Sequence, residues 1–127
     1  MSGPVRPVLP GSVSRVFVAN RGEIAVRIIR ACQGMGLETV VGVSEADRDT
    51  LGARLADRAV CLGPAAAADS YLSSDRLLAA ALGTGCDALH PGYGFLSESA
   101  QFAQRCAQAG MVFVGPLPEQ ILRMGPD

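Results

Sequence analysis

The chain has 127 residues, 11 basic against 12 acidic for a formal net charge of −1, and 49% hydrophobic residues. That length supports one compact domain burying roughly two thirds of the surface its unfolded form exposes, and leaves no room for a second. The balanced charge, without a basic stripe, argues against a nucleic-acid partner, and no apolar run approaches the roughly 20 residues needed to span a bilayer. Much of the apolar content is Ala, and the aromatics are four Phe and two Tyr with no Trp. A core of small side chains should be sensitive to changes of volume. Cys32, Cys61, Cys86 and Cys106 are far apart and form no CxxC pair, so they argue for neither a zinc site nor a disulfide framework. They are expected to be reduced core thiols on helices and strands. Residues 1–14, rich in Pro, Gly and Ser and lacking the apolar run of a secretory signal, are expected to be a flexible leader. The chain is accordingly expected to be soluble and cytoplasmic.

In chain order, residues 15–19 predict a first strand, and Asn20 is placed to cap the helix that follows. That helix should run to about Met35, with Ile24, Ile28, Ile29 and Cys32 recurring at helical spacing beside Ala25, and Gly34 and Gly36 supplying the stop. The β-branched run 39–43 marks a parallel strand covered on both faces. Residues 44–49 read as polar loop, 50–56 as a short helix, 59–62 as a third strand and 63–69 as an Ala-rich loop. Ser73 or Ser74 should cap a helix through Leu82 that ends at Gly83. Ala88 and Leu89 form the centre of a fourth strand. Ser97 should cap a helix with Ala103, Cys106 and Ala107 facing inward, closed by Gly110, before a fifth strand over 111–114. Pro118 opens a last helical turn. This order predicts an α/β fold: a single domain with a Rossmann-like parallel sheet of about five strands flanked by helices.

Two loops after strands carry unusual chemistry. A dinucleotide-binding fold would place GxGxxG after the first strand, but this chain has Asn20-Arg21-Gly22-Glu23. A carboxylate in the first helical turn satisfies the helix dipole and repels phosphate, which disfavours a dehydrogenase. Glu23, Arg27 and Arg30 share one helix face, where Glu23 and Arg27 can pair. The second loop is His90-Pro91-Gly92-Tyr93-Gly94-Phe95-Leu96-Ser97-Glu98. Pro91 and Gly92 force a turn, Gly94 permits an unusual backbone angle, and Tyr93 is displayed at the carboxyl edge of the sheet. His90, the only histidine, is read as holding the loop by hydrogen bonding rather than as moving protons. The alternating charges of Ser44-Glu45-Ala46-Asp47-Arg48-Asp49 read as a solvated loop.

The run Ala19-Asn20-Arg21-Gly22-Glu23-Ile24-Ala25 and the His90 to Glu98 loop together resemble the N-terminal domain of biotin carboxylase, the pre-ATP-grasp domain of the biotin-dependent carboxylases. The Ser-Glu-Ala-Asp-Arg-Asp segment, Ser70-Tyr71-Leu72 and the later Phe-Val-Gly-Pro strengthen the resemblance, which covers about residues 15–125. It implies an ATP-dependent ligase that turns bicarbonate into carboxyphosphate and carboxylates biotin held on a carrier protein, with a carboxyltransferase choosing the final acceptor. It implies ATP, Mg and biotin for the complete enzyme, held mainly by ATP-grasp and C-terminal domains that are expected to be absent here. The family's acidic residue and lysine after Met124-Gly125 are replaced by Pro126-Asp127, so this chain alone should neither catalyse the reaction nor bind those groups tightly. The resemblance places Tyr93, with Gly92, Gly94 and Glu98, at the border of the substrate site, and assigns none of them a catalytic role. It also places Arg27 and Arg30 at the homodimer interface of dimeric members, although the acidic partner one turn on is here Gly34. The alternatives are a non-catalytic module docking onto a complete carboxylase subunit and a small Rossmann-like ligand-binding protein.

Overall fold

A computed structural model describes residues 13–63, 73–92 and 99–114. Five strands, β1 (Arg15–Val18), β2 (Glu38–Ser44), β3 (Arg58–Gly63), β4 (Ala88–His90) and β5 (Val112–Phe113), form one parallel sheet in the order β3-β2-β1-β4-β5. Among the described residues four helices connect them: α1 (Gly22–Gly34), α2 (Leu51–Leu55), α3 (Ser74–Gly83) and α4 (Ala100–Gln108). The expected α/β architecture is therefore present.

The helices divide two and two, as crossovers of one hand require when strand order reverses direction. On one face Ala25, Ile28, Ile29 and Cys32 of α1 pack on Val16, Val18, Val41 and Val43, with Ala53 and Leu55 of α2 at the margin. On the other face Leu77, Leu78 and Ala81 of α3 and Phe102 and Cys106 of α4 pack on Phe17, Val40, Leu62 and Leu89. Six consecutive residues of β2 are buried, which is why that strand reads as a continuous β-branched run rather than an alternating one. Gly42 interrupts the run because a methyl there would lie 2.7 Å from Cζ of Phe17; the bare backbone admits the ring.

The three helices that feed β2, β4 and β5 by way of a glycine end alike. Gly36, Gly85 and Gly110 take positive φ, and the next N–H returns to a carbonyl five residues back: Leu37 to Cys32 at 2.9 Å, Cys86 to Ala81 at 3.0 Å, Met111 to Cys106 at 2.8 Å. Each is the 6→1 bond of a Schellman turn. For α1 the stop is thus Gly36 rather than Gly34, which is the last helical residue.

Several local expectations are corrected. Asn20 does not cap α1; the cap position is Arg21, with no side-chain cap bond. Of the two caps expected for α3, Ser73 is the one used, accepting from the Arg76 N–H, so that expectation holds. Ser99 rather than Ser97 caps α4, accepting from the Phe102 N–H at 3.1 Å. Ala107 is exposed, and Phe102 joins Ala103 and Cys106 on the buried face. Cys61 is exposed on the edge strand β3, and Cys86 lies just before β4; Cys32, Cys86 and Cys106 are buried, and burial raises their thiol pKa values, that of Cys106 to about 11. The polar loop 44–49 contains a 3-10 turn, Glu45–Asp47. The Ala-rich loop after Gly63 and the turn at Pro118 lie outside the described residues.

The start of the sheet is tied from outside the strands. Val13 is buried, and the Asp87 carboxylate before β4 accepts the Ser14 N–H at 3.1 Å, the Ser14 hydroxyl at 3.1 Å and the Arg15 N–H at 3.0 Å. Hydrogen bonds to a charged acceptor are worth about 1.5–3 kcal/mol. Asp87→Ala is expected to destabilise the chain by about 2–3 kcal/mol in urea denaturation, with Asp87→Asn losing less because it keeps one acceptor.

Candidate functional site

In an open parallel sheet, ligand crevices form at the carboxyl edge where strand order reverses. Here that point lies between β1 and β4, and both sequence-predicted loops leave from it. Ladder pairing continues one step past Val18, with the Ala19 N–H donating to the His90 carbonyl at 2.9 Å. Beyond it the crevice is closed by protein. Asn20, 1% exposed, donates from Nδ2 to the Pro91 carbonyl at 2.6 Å and accepts the Arg21 N–H on Oδ1 at 2.8 Å. Gly92 follows at φ +69°, with its α-carbon turned against α1: a Cβ there would meet Cγ2 of Ile24 at 2.8 Å, Nδ2 of Asn20 at 2.9 Å and Cδ1 of Ile28 at 3.2 Å.

His90 holds the turn as the sequence suggests. Its Nδ1 accepts the Gly92 N–H at 3.2 Å, which requires that nitrogen to be unprotonated, and desolvation by burial moves the imidazole below its ordinary value near 6.5. The folded state therefore resists protonation. Above pH 6.5 neutral His90 contributes its full share of stability; as pH falls from 6.5 through the lower folded-state value, the unfolded chain takes up the proton first and that share is lost. Since no second histidine exists, urea midpoints measured from pH 7.5 to 5.5 should decline for the unmutated chain, and the decline should be largely absent in His90→Gln.

The adjacent crevice, at the ends of β1 and β2, is also filled. Arg21 Nη2 reaches both carboxylate oxygens of Asp47 at 3.2 Å, and the cavity those residues line with Val41, Val43 and Thr50 has room of about 10 Å³. This is the space of one water; a ribose or phosphate does not fit. Among the described residues neither crevice offers room for a nucleotide, and no group of three His, Cys, Asp or Glu is placed to hold a metal. The residues present here do not fit ATP with Mg.

The outer face of α1 is different. Glu23 and Arg27 pair at 3.6 Å with side chains 80% and 71% exposed, an arrangement worth a few tenths of a kcal/mol. Arg30 lies on the same exposed face and joins Glu23, Val26, Thr50 and the half-exposed Leu51 around an open groove of about 370 Å³ between α1 and α2. Sequence reasoning found Arg27 and Arg30 but missed this groove, because Leu51 comes from a different helix. It also missed the Arg21–Asp47 pair and the reach of Asn20 to Pro91. The charge alternation of residues 44–49, following the strand adjacent to β1, was the available signal for the former. Of the expected border residues, Gly92 sits at the switch point; Tyr93, Gly94 and Glu98 lie outside the described residues.

Among the described residues, no helix is long and apolar enough to cross a membrane. The family described as biotin carboxylase, N-terminal domain, matches residues 12–121. Biotin carboxylase 1 of Bacillus subtilis (strain 168) is 52% identical over 113 residues, 89% of this chain and 25% of that protein. The biotin carboxylase subunit of a pyruvate carboxylase superposes with a TM-score of 0.85 at 48% identity, over 90% of this chain and 25% of that one. The biotin carboxylase domain of a thermophilic 2-oxoglutarate carboxylase, solved with bicarbonate, gives 0.84 at 42% identity, over 89% of this chain and 25% of the other. The chain thus spans about a quarter of the length of each of these three proteins. With a domain-wide match, the expected parallel α/β sheet and both loops leaving from the switch point, this chain belongs to the biotin carboxylase N-terminal domain family.

Proposed function

We propose that this chain serves as the leading domain of a biotin-dependent carboxylase, an ATP-dependent ligase that activates bicarbonate as carboxyphosphate and carboxylates carrier-bound biotin. The observation that carries the reading is the state of the sheet's carboxyl edge. The motif residues Asn20 and Gly92 close the crevice where a free-standing nucleotide-binding domain would hold its ligand, so the domain offers a shaped border to a site completed from outside. In this reading Gly92, with Tyr93, Gly94 and Glu98, borders the substrate site, and ATP, Mg and biotin are held by ATP-grasp and C-terminal domains. The partners are those domains, a biotin carrier protein and a carboxyltransferase, in the cytoplasm. Bicarbonate-dependent ATP hydrolysis should be undetectable for the 127-residue chain alone and should appear on adding the remaining three quarters of a biotin carboxylase. Robust hydrolysis by the chain alone would overturn the reading.

A second reading is favoured by the groove beside α1. There the chain docks onto a carboxylase subunit, or onto a second copy, through Arg27, Arg30 and Leu51. Without an acid at Gly34 the contact relies on the groove and on acids supplied by the partner. Co-purification with a biotin carboxylase, lost in Arg27→Glu, is the expected signature; a strictly monomeric chain that captures no such subunit removes it.

A further inference from the structure

The two family motifs are joined, beyond the backbone bond from Ala19 to His90, by a buried side-chain hydrogen bond between Asn20 and Pro91, 71 residues apart. We propose that Asn20 is the positioning residue for the loop that leaves β4: its side-chain amide acts as an additional peptide group between β1 and β4 and sets the backbone through Pro91 and Gly92. The role of that loop in a substrate site rests on the reading given above; the positioning itself stands on the geometry.

A primary amide at 1% exposure is costly to bury unless its nitrogen and its oxygen both find partners. Asn20 engages both ends in a way that leaves no ambiguity of orientation, since a carbonyl can only accept and an N–H can only donate: Nδ2 meets the Pro91 carbonyl and Oδ1 meets the Arg21 N–H. The last backbone rung is Ala19 N–H to His90 carbonyl. Past it the two strands must separate, because one chain enters α1 and the other turns at Pro91. Without the side chain, the buried Pro91 carbonyl and the Arg21 N–H would lose these partners at the point of separation. The same amide nitrogen is one of the atoms that a Cβ on Gly92 would strike, at 2.9 Å. Asn20 thus works in two ways: it draws Pro91 toward β1 and limits what can follow at residue 92. A capping serine or aspartate, which serves a helix N-terminus well, cannot replace it, because neither offers an amide donor.

The test is hydrogen exchange by NMR on the 127-residue chain. In the unmutated protein the side-chain amide protons of Asn20 should exchange at least tenfold more slowly than those of Gln101 and Gln104, which are exposed on α4. In Asn20→Ala and Asn20→Asp, protection of the Gly92 amide should fall at least tenfold more than protection of the amides of β1 and β2. In Asn20→Ala the His90 titration should also move up toward its ordinary value as the turn opens. Ile29→Val, which thins the same α1 core without touching the bridge, should lower protection everywhere in step. Side-chain protons of Asn20 that exchange as fast as those of Gln101 overturn the proposal, even if no Asn20 variant folds. So does a Gly92 amide that loses protection only in step with β1. Both measurements are made without the complementing domains, so the proposal and the carboxylase reading can fail separately.

Discussion

Gly92→Ala should be among the most damaging single-methyl changes in this chain, lowering stability by about 2–5 kcal/mol. Two costs combine. A φ of +69° is left-handed, which costs an L-residue about 1–2 kcal/mol. The added carbon would also lie within 2.8–3.2 Å of Ile24, Asn20 and Ile28, and overpacking of this kind costs about 1–3 kcal/mol. Relief by movement is restricted, because Ile28 is buried against the sheet and Asn20 is held by its own hydrogen bonds. Gly34→Ala is the matched control: nothing lies within 4 Å of the added carbon and φ is ordinary, so that variant should be neutral or slightly stabilised. Urea denaturation of both variants decides the matter. A Gly92→Ala midpoint equal to that of Gly34→Ala would mean that the turn is not packed on α1 as described.

The second large effect is expected at Phe17. Its ring is fully buried at the centre of the α3 and α4 face, and Phe→Ala in such a position costs about 3–5 kcal/mol. For a domain whose total stability is on the order of 5–15 kcal/mol, that removes a large share and should leave a substantial unfolded population at 37 °C. Gly42→Ala attacks the same contact from the other side, placing a carbon 2.7 Å from Cζ of Phe17 and 3.0 Å from both terminal methyls of Leu62. The smaller Phe17→Leu should relieve part of that collision. The double variant Phe17→Leu/Gly42→Ala should therefore lose measurably less than the sum of its single losses, the signature of residues in contact. Strict additivity in urea midpoints would show that strand and ring do not meet.

Much of the fold was legible because its signals are local. The β-branched run of β2, the period of Ile28, Ile29 and Cys32, and the stop glycines Gly36 and Gly110 each act within one turn or strand; after α3 the stop is Gly85 rather than the expected Gly83, which is the last helical residue. Failures arise where the deciding partner is distant. Asn20 looks like a helix cap because the nearest free N–H groups in sequence belong to α1, but its Oδ1 takes the Arg21 N–H one residue too early, and its Nδ2 finds the Pro91 carbonyl, which only the finished sheet brings within 2.6 Å. Cys61 was assigned to the core by residue type, yet β3 is an edge strand, and which strand becomes an edge is decided by topology. Phe102 was overlooked in favour of Ala107 because the two flank the Ala103–Cys106 line on opposite sides at equal helical spacing, and only the sheet decides which flank is covered, with Phe102 edge-on to Phe113. At the site, both loops and Gly92 were visible as motifs; their joining at the switch point and the groove beside Leu51 are products of tertiary assembly.

The bridge from Asn20 to Pro91 also imposes an order of assembly. It closes a loop of 71 residues, whose entropic cost must be met before the contact repays it. The elements from β1 to β3 lie consecutively on one side of the sheet and can associate early, with β1 as their free edge. That edge carries Val16, Phe17 and Val18, all fully buried in the finished fold, and it remains unpaired until β4 has been synthesised and inserted beside it. An unpaired apolar strand edge templates aggregation, so a chain emerging from the ribosome is most vulnerable between the completion of β3 and the arrival of His90. The step that ends this exposure also joins the two motifs, and the turn through Pro91 and Gly92 is among the last features of the sheet's carboxyl edge to form.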